Sequence, residues 1–460
     1  MSASDKPIGL TLSPPEVVAP RPLRRLAIDA AKLELLAYVA GQLLRFCSSL
    51  ILSRLLFPEA FGLSVTVGLV GQGLVMVSNV GASQSVVQSK RGDDPLFLNT
   101  AFTILAVRGV ALWLVACVLA YPLAVFLRQP ELSLLIPVGC LNVLITGLSS
   151  TSLITLRRHL RVRPLIVIEV AAQVLTLILN IALAWYFRSV WALIAAGLVG
   201  PVFSTVVSHF LKVGYRSRFQ WDPTAWREIY DYGRWIQRSS ALCFVCSQAD
   251  RFLIAHFVSM AVLGVYNFAL LLADAVSAAV VRVTHGVLFP VFSQIHREQP
   301  ERLMPAYYRV RLRADVVTML PMGILAALGQ VVVNLLFDAR YAEAGWMLQL
   351  LCIRAAMSCL MVPVETLLFS IGQTQYGFYR DLARSAWVLG GMPLGWHLAG
   401  MPGLVGVVAL SEIPTAIVLM TALARHGRLR PMREALGPLV FGLGYGVGAL
   451  LLAAAKKGAS

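Results

Sequence analysis

Long apolar stretches separated by short polar segments run through most of the chain. A bilayer-spanning helix needs about 20 apolar residues, and thirteen stretches are long enough. They lie near 33–56, 61–86, 97–120, 132–156, 164–187, 190–213, 233–258, 262–290, 307–336, 344–371, 378–397, 402–424 and 436–455. The pattern predicts an all-α polytopic membrane protein. The intervals between the stretches are too short for a soluble catalytic domain.

Composition agrees with this prediction. Of the 460 residues, 58% are apolar and 13% are charged, whereas soluble domains average about 45–50% and about 25%. A soluble enzyme and a disordered chain are both excluded. The cysteines lie inside apolar stretches, and we interpret Cys243 and Cys246 as helix residues rather than a metal or redox motif. No metal site and no catalytic residue is therefore expected.

The basic residues predict the orientation. If the N-terminus is cytoplasmic, 28 of the 39 Lys and Arg residues lie in cytoplasmic segments, five lie outside, and six lie within spans. Cytoplasmic loops of membrane proteins carry such an excess of Lys and Arg. The net charge of +16 is therefore explained without a nucleic-acid partner.

The longest interior connection divides the spans into two sets of six. We expect a disordered cytoplasmic tail over 1–30, a six-helix bundle over 31–213, a cytoplasmic linker over 214–232, a second six-helix bundle over 233–425, and an additional hydrophobic segment over 436–455.

A weak internal repeat supports this division. The segment SRLLFPEAFGL at 53–63 is echoed by AHFVSMAVLGV at 255–265. Parallel repeats of this kind imply two bundles around a central cavity. Such an architecture is typical of an alternating-access transporter.

Several motifs resemble one transporter family. The segment LSRLLFPEAFGL at 52–63, followed by NVGASQSVVQ at 79–88, is similar to the opening of Wzx-type polysaccharide/oligosaccharide flippases. These belong to the multidrug/oligosaccharidyl-lipid/polysaccharide exporter superfamily. The segments ADRFLIAHFVSMAVLGVYNFA at 249–269, LFPVFSQI at 288–295 and YAEAGWMLQLL at 341–351 also resemble it. The resemblance covers roughly residues 30–425.

The resemblance implies a function. Such a protein would translocate a glycan on undecaprenyl pyrophosphate across the cell inner membrane for surface lipopolysaccharide or exopolysaccharide synthesis. It would be a flippase rather than an enzyme. Its implied partners are the lipid-linked oligosaccharide and membrane lipids, with polysaccharide polymerase machinery as a further candidate. The run at 436–455 departs from the family, whose members usually have twelve or fourteen spans.

Charged residues within spans are candidates for the substrate site. An intramembrane arginine is costly and normally faces a partner or a watery cavity, and guanidinium groups bind phosphate oxygens bidentately. The resemblance implies that the first, second, seventh and eighth spans line the cavity. Polar stripes on these spans give the predicted substrate-binding residues Arg45, Arg251, Arg282, Gln42, Gln72, Asn79 and Asn267.

Each of these arginines has a structural alternative. Arg282 could snorkel to the interface, and Arg45 and Arg251 could pair with acids. For Arg108 and Arg354, structural pairing is at least as well supported as a cavity role.

Two acids within spans are candidates for ion coupling. Asp274 and Glu412 are the deepest of the seven acidic residues that lie in or at the ends of predicted spans. An intramembrane carboxyl can carry a proton or bind Na⁺. Neutralising a nearby arginine is an equally good interpretation. No cofactor is expected beyond a proton or sodium gradient.

Two rival functions remain open. A multidrug/cation antiporter of the same superfamily would have an acidic, aromatic-lined cavity. A membrane-embedded polysaccharide polymerase or ligase would carry a large extracytoplasmic loop. The six arginines within spans and the short outside connections favour the flippase.

Overall fold

A computed structural model describes residues 23–159, 161–211, 217–284, 288–426 and 430–458. Within these ranges the chain is helical and forms no strand. The first half contains α1 (Leu23–Leu55), α2 (Pro58–Val77), α3 (Ala82–Gln88), α4 (Pro95–Phe126), α5 (Leu132–Gly139), α6 (Leu141–Gly147), α7 (Ser152–Arg158), α8 (Val162–Phe187) and α9 (Val190–Phe210).

The second half contains α10 (Pro223–Phe257), α11 (Met260–Val283), α12 (Phe289–Glu298), α13 (Leu303–Leu336), α14 (Ala344–Ser370), α15 (Gln375–Ala409), α16 (Glu412–Arg425), α17 (Pro431–Glu434) and α18 (Leu436–Gly458). The N-terminal face is the end of the bundle where α1 begins. The opposite face is the end where α2 and α11 begin.

Ten helices among the described residues are long and apolar enough to cross a membrane, or eleven if one bent pair is a single span. The all-α polytopic fold predicted from the sequence is therefore confirmed. Three segments account for the difference between these ten helices and the thirteen predicted spans. One is the bent pair; one is α10, which carries many charged residues. The third is the stretch Gln375–Arg425, which bends at Gly400 (φ 61°).

Two predicted spans are wrong as continuous helices. The second, 61–86, ends at Val77, because Gly81 has a left-handed φ of 63° and donates its N–H to Asn79 Oδ1. Side chains that bond the backbone in this way compete with helix propagation. The fourth, 132–156, is divided into α5, α6 and α7, with a bend of 60° before α7.

Two predicted boundaries also need correction. The helix α1 begins at Leu23, within the stretch predicted as a tail; residues 1–22 lie outside the described ranges. The helix α10 begins at Pro223, because Asp222 caps it by accepting from the backbone N–H groups of Thr224 and Ala225. The second half of the predicted linker is therefore helical.

The two halves meet where α2 crosses α11. A Cβ on Gly62 would lie 1.9 Å from the carbonyl oxygen of Met260, and a Cβ on Gly264 would lie 2.1 Å from that of Pro58. These two glycines occupy equivalent positions in the repeat at 53–63 and 255–265. The repeat therefore marks a symmetric contact between the halves at the opposite face.

The additional hydrophobic segment predicted over 436–455 forms the helix α18. It packs along α13. Buried Arg311 of α13 contacts Glu434, which precedes α18, at 2.7 Å and Asp315 at 3.5 Å. The C-terminal helix is thus fixed to the second half by apolar packing and a buried ion pair.

Candidate substrate cavity

A large cavity lies within the first half of the chain. Its volume is about 940 Å³, and it is lined by α1, α3, α7, α8 and α9. Apolar walls surround a small set of polar side chains, as is usual for ligand sites. The polar and charged lining residues are Arg45, Ser48, Ser83, Gln84, Gln88, Arg157, Glu169, Gln173, Thr176, Asn180 and Ser204.

The break after α2 brings α3 into this wall. Gln84 and Gln88 are one helical turn apart on α3, so both amides can face the same space. Arg108 of α4 supports the break, donating to Ser78 Oγ at 3.1 Å and to the carbonyl of Val75 at 2.5 Å. The structural role considered for Arg108 is therefore observed.

Two arginines line the cavity. Arg45 and Arg157 are both exposed to it, and neither has an ion-pair partner among the described residues. Both arginines also line a small adjoining pocket, together with Glu169 and Arg282. The guanidinium of Arg282 lies 4.5 Å from the ring centre of Tyr38. Two of the predicted substrate residues, Arg45 and Arg282, are thus brought to one region.

Other predicted residues lie between the halves. Gln248 of α10 donates to Gln72 Oε1 at 3.4 Å and accepts from Arg251. Asn79 donates to Ser240 Oγ at 3.4 Å. Gln72 and Asn79 therefore contact α10, Arg251 bonds Gln248 within α10, and none of the three lines the large cavity. Their part in substrate binding stays a prediction.

The remaining predicted substrate residues, Gln42 and Asn267, are half-buried on α1 and α11. Neither lines the large cavity. Of the seven predicted substrate residues, Arg45 alone lines this cavity, and Arg282 borders the adjoining pocket.

Both candidate coupling acids contact arginines. Asp274 pairs with Arg354 of α14, and Glu412 Oε1 lies 3.2 Å from Arg384 of α15. Arg354 and Glu412 have side chains only 11% and 5% exposed. Neutralisation of a nearby arginine, one of the two sequence interpretations, is the arrangement present in this structure.

At the N-terminal face, ion pairs hold the start of α10 to the first half. Arg91 contacts Asp94 at 2.9 Å and Asp222 at 3.2 Å. Hydrogen bonds from Thr224, together with Arg91, lower the pKa of Asp222 to about 2. Asn99 and Gln220 form a further link at 2.7 Å. The first turn of α10 is therefore attached to the half that contains the cavity.

Sequence reasoning missed several lining residues. Arg157 lies in a short basic segment between two predicted spans, where the charge pattern indicates only orientation, and Gln173 and Asn180 sit in the long apolar run of α8. Their spacing along α8 was a usable signal, because Gln173, Thr176 and Asn180 recur at three and four residues and so share one helix face.

Comparisons with known proteins give relatives by sequence. This chain is 22% identical over 402 residues to the lipopolysaccharide biosynthesis protein WzxC of Escherichia coli strain K12, covering 86% of this chain and 80% of WzxC. It is 23% identical over 356 residues to the succinoglycan biosynthesis transport protein ExoT of Rhizobium meliloti strain 1021, covering 76% and 71%.

Solved structures share the fold. The lipid II flippase MurJ in an inward closed conformation matches with a TM-score of 0.65 and 10% identity, covering 91% of this chain and 98% of MurJ. An inward-facing multidrug resistance MATE family transporter of the MOP superfamily matches with a TM-score of 0.63 and 14% identity, covering 86% and 95%. The family model described as Polysaccharide biosynthesis protein matches residues 51–345, and the chain belongs to this family of multi-pass membrane proteins.

Proposed function

We propose that the chain is an inner-membrane flippase that moves a lipid-linked oligosaccharide from the cytoplasmic to the outer leaflet. It works by alternating access and makes or breaks no covalent bond. The observation that carries this proposal is the cavity of about 940 Å³ with Arg45 and Arg157 on its wall. Two guanidinium groups without carboxylate partners among the described residues suit a pyrophosphate.

The arrangement separates the charged and uncharged parts of such a substrate. Arg157 lies in the last turn of α7, and Glu169 lies in the first half of α8. Arg157 and Glu169 are therefore nearer the N-terminal face than Asn180, which lies about 16 Å beyond Glu169 along the axis of α8. A pyrophosphate held by Arg45 and Arg157 would leave the polyprenyl chain in lipid and direct the glycan inward.

Names of the relatives support the same assignment. WzxC and ExoT are named for lipopolysaccharide and succinoglycan biosynthesis, ExoT as a transport protein, and MurJ is named a lipid II flippase. An oligosaccharide on undecaprenyl pyrophosphate agrees with these names, and its pyrophosphate is a group that a cationic cavity can bind. Membrane lipids and polysaccharide polymerase machinery are the other partners in this proposal.

The structural features favour a flippase over the two rivals. A cation antiporter calls for an acidic, aromatic-lined cavity, but the cavity's described lining has no aromatic residue and carries two arginines against one glutamate. A polymerase or ligase calls for a large outer loop, but the described connections at the opposite face, such as 127–131 and 337–343, are short.

Energy input is part of the proposal. A proton or sodium gradient would act on Asp274 or Glu412, each of which now contacts an arginine. Protonation or Na⁺ binding at either carboxylate would weaken its arginine contact and free the connected helices to move.

Polysaccharide export in a null strain, normalised to protein level by immunoblot, tests the proposal. Arg45→Ala should abolish export while the protein still reaches the membrane. Arg45→Lys should be clearly impaired, because an ammonium cannot bind two oxygens in one plane. Arg54, in the last turn of the same helix and on the wall of neither pocket, is the control and should tolerate Lys, because an ammonium group also reaches the membrane interface. Full export by Arg45→Ala would overturn the role of the cavity.

A further inference from the structure

Two side chains on the wall of the cavity have buried amide oxygens without a partner among the described residues. Gln173 Oε1 and Asn180 Oδ1 are inaccessible to solvent and accept no hydrogen bond within the described structure. Both residues line the cavity, as does Thr176 between them. We call Gln173, Thr176 and Asn180 the amide face of α8. A desolvated acceptor without a donor is unfavourable, so either side chain would gain by turning its oxygen into the cavity, toward a ligand that donates a hydrogen bond.

Two glycines leave the space that this face occupies. A Cβ on Gly41 would lie 2.6 Å from Gln173 Oε1, and a Cβ on Gly200 would lie 2.8 Å from Thr176 Oγ1. Any larger residue at either position would displace the polar side chain. The glycines of α1 and α9 therefore leave room for polar side chains of α8, but these helices donate no hydrogen bond to the two amide oxygens.

The neighbouring walls have the same uncharged polar character. Gln84 and Gln88 of α3 and Ser204 of α9 line the cavity with the amide face. Amides and hydroxyls both donate and accept hydrogen bonds. They match a ligand dense in hydroxyl or acetamido groups, whereas a lipid phosphate or an organic cation has few donors for these oxygens.

We propose that the amide face of α8 binds the sugar residues next to the pyrophosphate and selects the oligosaccharide. When the side chains turn into the cavity, Gln173 Oε1 and Asn180 Oδ1 accept hydrogen bonds from sugar hydroxyl or acetamido N–H groups. This inference rests on the proposed function, because Arg45 and Arg157 place the pyrophosphate beside these residues. The volume of about 940 Å³ is that of a site for a drug-sized ligand, so a short oligosaccharide fits and a polymer does not.

Binding measurements on the full-length protein in lipid nanodiscs test the inference. One ligand is undecaprenyl pyrophosphate, and the other is the lipid-linked oligosaccharide extracted from a strain that lacks this protein. The wild type should bind the oligosaccharide lipid about tenfold more tightly, the gain from a few hydrogen bonds. The ratio of the two dissociation constants is the readout.

The substitutions remove the amides with little change in size. Asn180→Leu and Gln173→Met should each reduce the ratio by about threefold, as expected for one hydrogen bond. The double variant should bring the ratio close to one while the affinity for undecaprenyl pyrophosphate stays within about twofold of wild type. The isosteric Thr176→Val should reduce the ratio by a smaller factor. Asn142→Leu, an exposed position of α6 outside the cavity, is the matched control and should keep the full ratio.

The outcomes separate the two proposals. Unchanged ratios in Asn180→Leu and Gln173→Met, or an equal loss of affinity for both lipids, overturn sugar recognition by the amide face. Equal affinity of the wild type for both lipids also overturns sugar recognition, but it does not contradict the proposed flippase function. A wild type that binds neither lipid contradicts the proposed function itself.

Discussion

The crossing of α2 and α11 should control which face of the protein is open. In this structure the two backbones lie close together at the opposite face, where both helices begin. A methyl group added at Gly62 would place Cβ 1.9 Å from the carbonyl oxygen of Met260, where ordinary contact begins at 3.4 Å. The two backbones would have to separate by roughly 1.5 Å, because neither atom belongs to a flexible side chain.

The expected size of the effect follows from packing energetics. Inserting a methyl group into a closely packed site costs about 1–3 kcal/mol. The cost applies only to the state in which the helices cross, so Gly62→Ala should shift the equilibrium toward opening of the opposite face by about 5–150-fold. Gly264→Ala should act in the same direction. Gly68→Ala is the matched control on α2, since a Cβ there meets no atom within 4 Å.

Distances between spin labels across the opposite face provide the assay. Labels at Arg128, after α4, and at Glu343, before α14, lie on the two halves. Gly62→Ala should lengthen the main distance or add a longer population, whereas Gly68→Ala should match the wild type. A Gly62→Ala distribution identical to that of the wild type would refute the reasoning.

Three further predictions concern orientation and ion pairs. Reporter fusions should be cytoplasmic after residues 160, 225, 300 and 430 and extracytoplasmic after residues 128, 188, 260 and 340; an outside result at 160 contradicts the whole orientation. Asp274→Asn leaves buried Arg354 without its carboxylate and should cost about 3 kcal/mol. Arg354→Met leaves Asp274, whose side chain is 40% exposed, and should cost about 1 kcal/mol or less; equal losses in thermal unfolding would contradict this asymmetry. A pKa of about 2 for Asp222, below the ordinary value of about 3.9, means that its stabilising effect is complete above about pH 4 and is lost as pH falls through about 2. The difference in melting temperature between wild type and Asp222→Asn should therefore stay nearly constant from pH 8 to pH 4, and its disappearance by pH 5 would be inconsistent with this pKa.

Hydropathy and charge were sufficient to predict the fold class and to identify Arg45 as a residue that lines a cavity. An apolar run of spanning length has few alternatives to a helix, and an arginine within it needs a polar surrounding. The break between α2 and α3 was missed because apolar residues continue through it; a left-handed Gly81 and local side-chain bonds produce it.

Long-range pairing was beyond sequence reasoning. Asp274 and Arg354 are far apart in the chain, and only helix packing brings α11 to α14. The same holds for the cavity, because Gln173 and Asn180 become significant only once α1, α3 and α9 enclose them. Periodicity identifies the face of a helix but not the helix that covers it.

Transport by the purified protein tests the central claim most directly. The protein would be reconstituted in liposomes with the lipid-linked oligosaccharide from the null strain on one leaflet. A membrane-impermeant oxidant would then report the glycan that reaches the other leaflet. We predict that wild-type protein speeds this transfer over protein-free liposomes and that Arg45→Ala does not. No transfer by the wild type, or equal transfer by Arg45→Ala, would contradict the account.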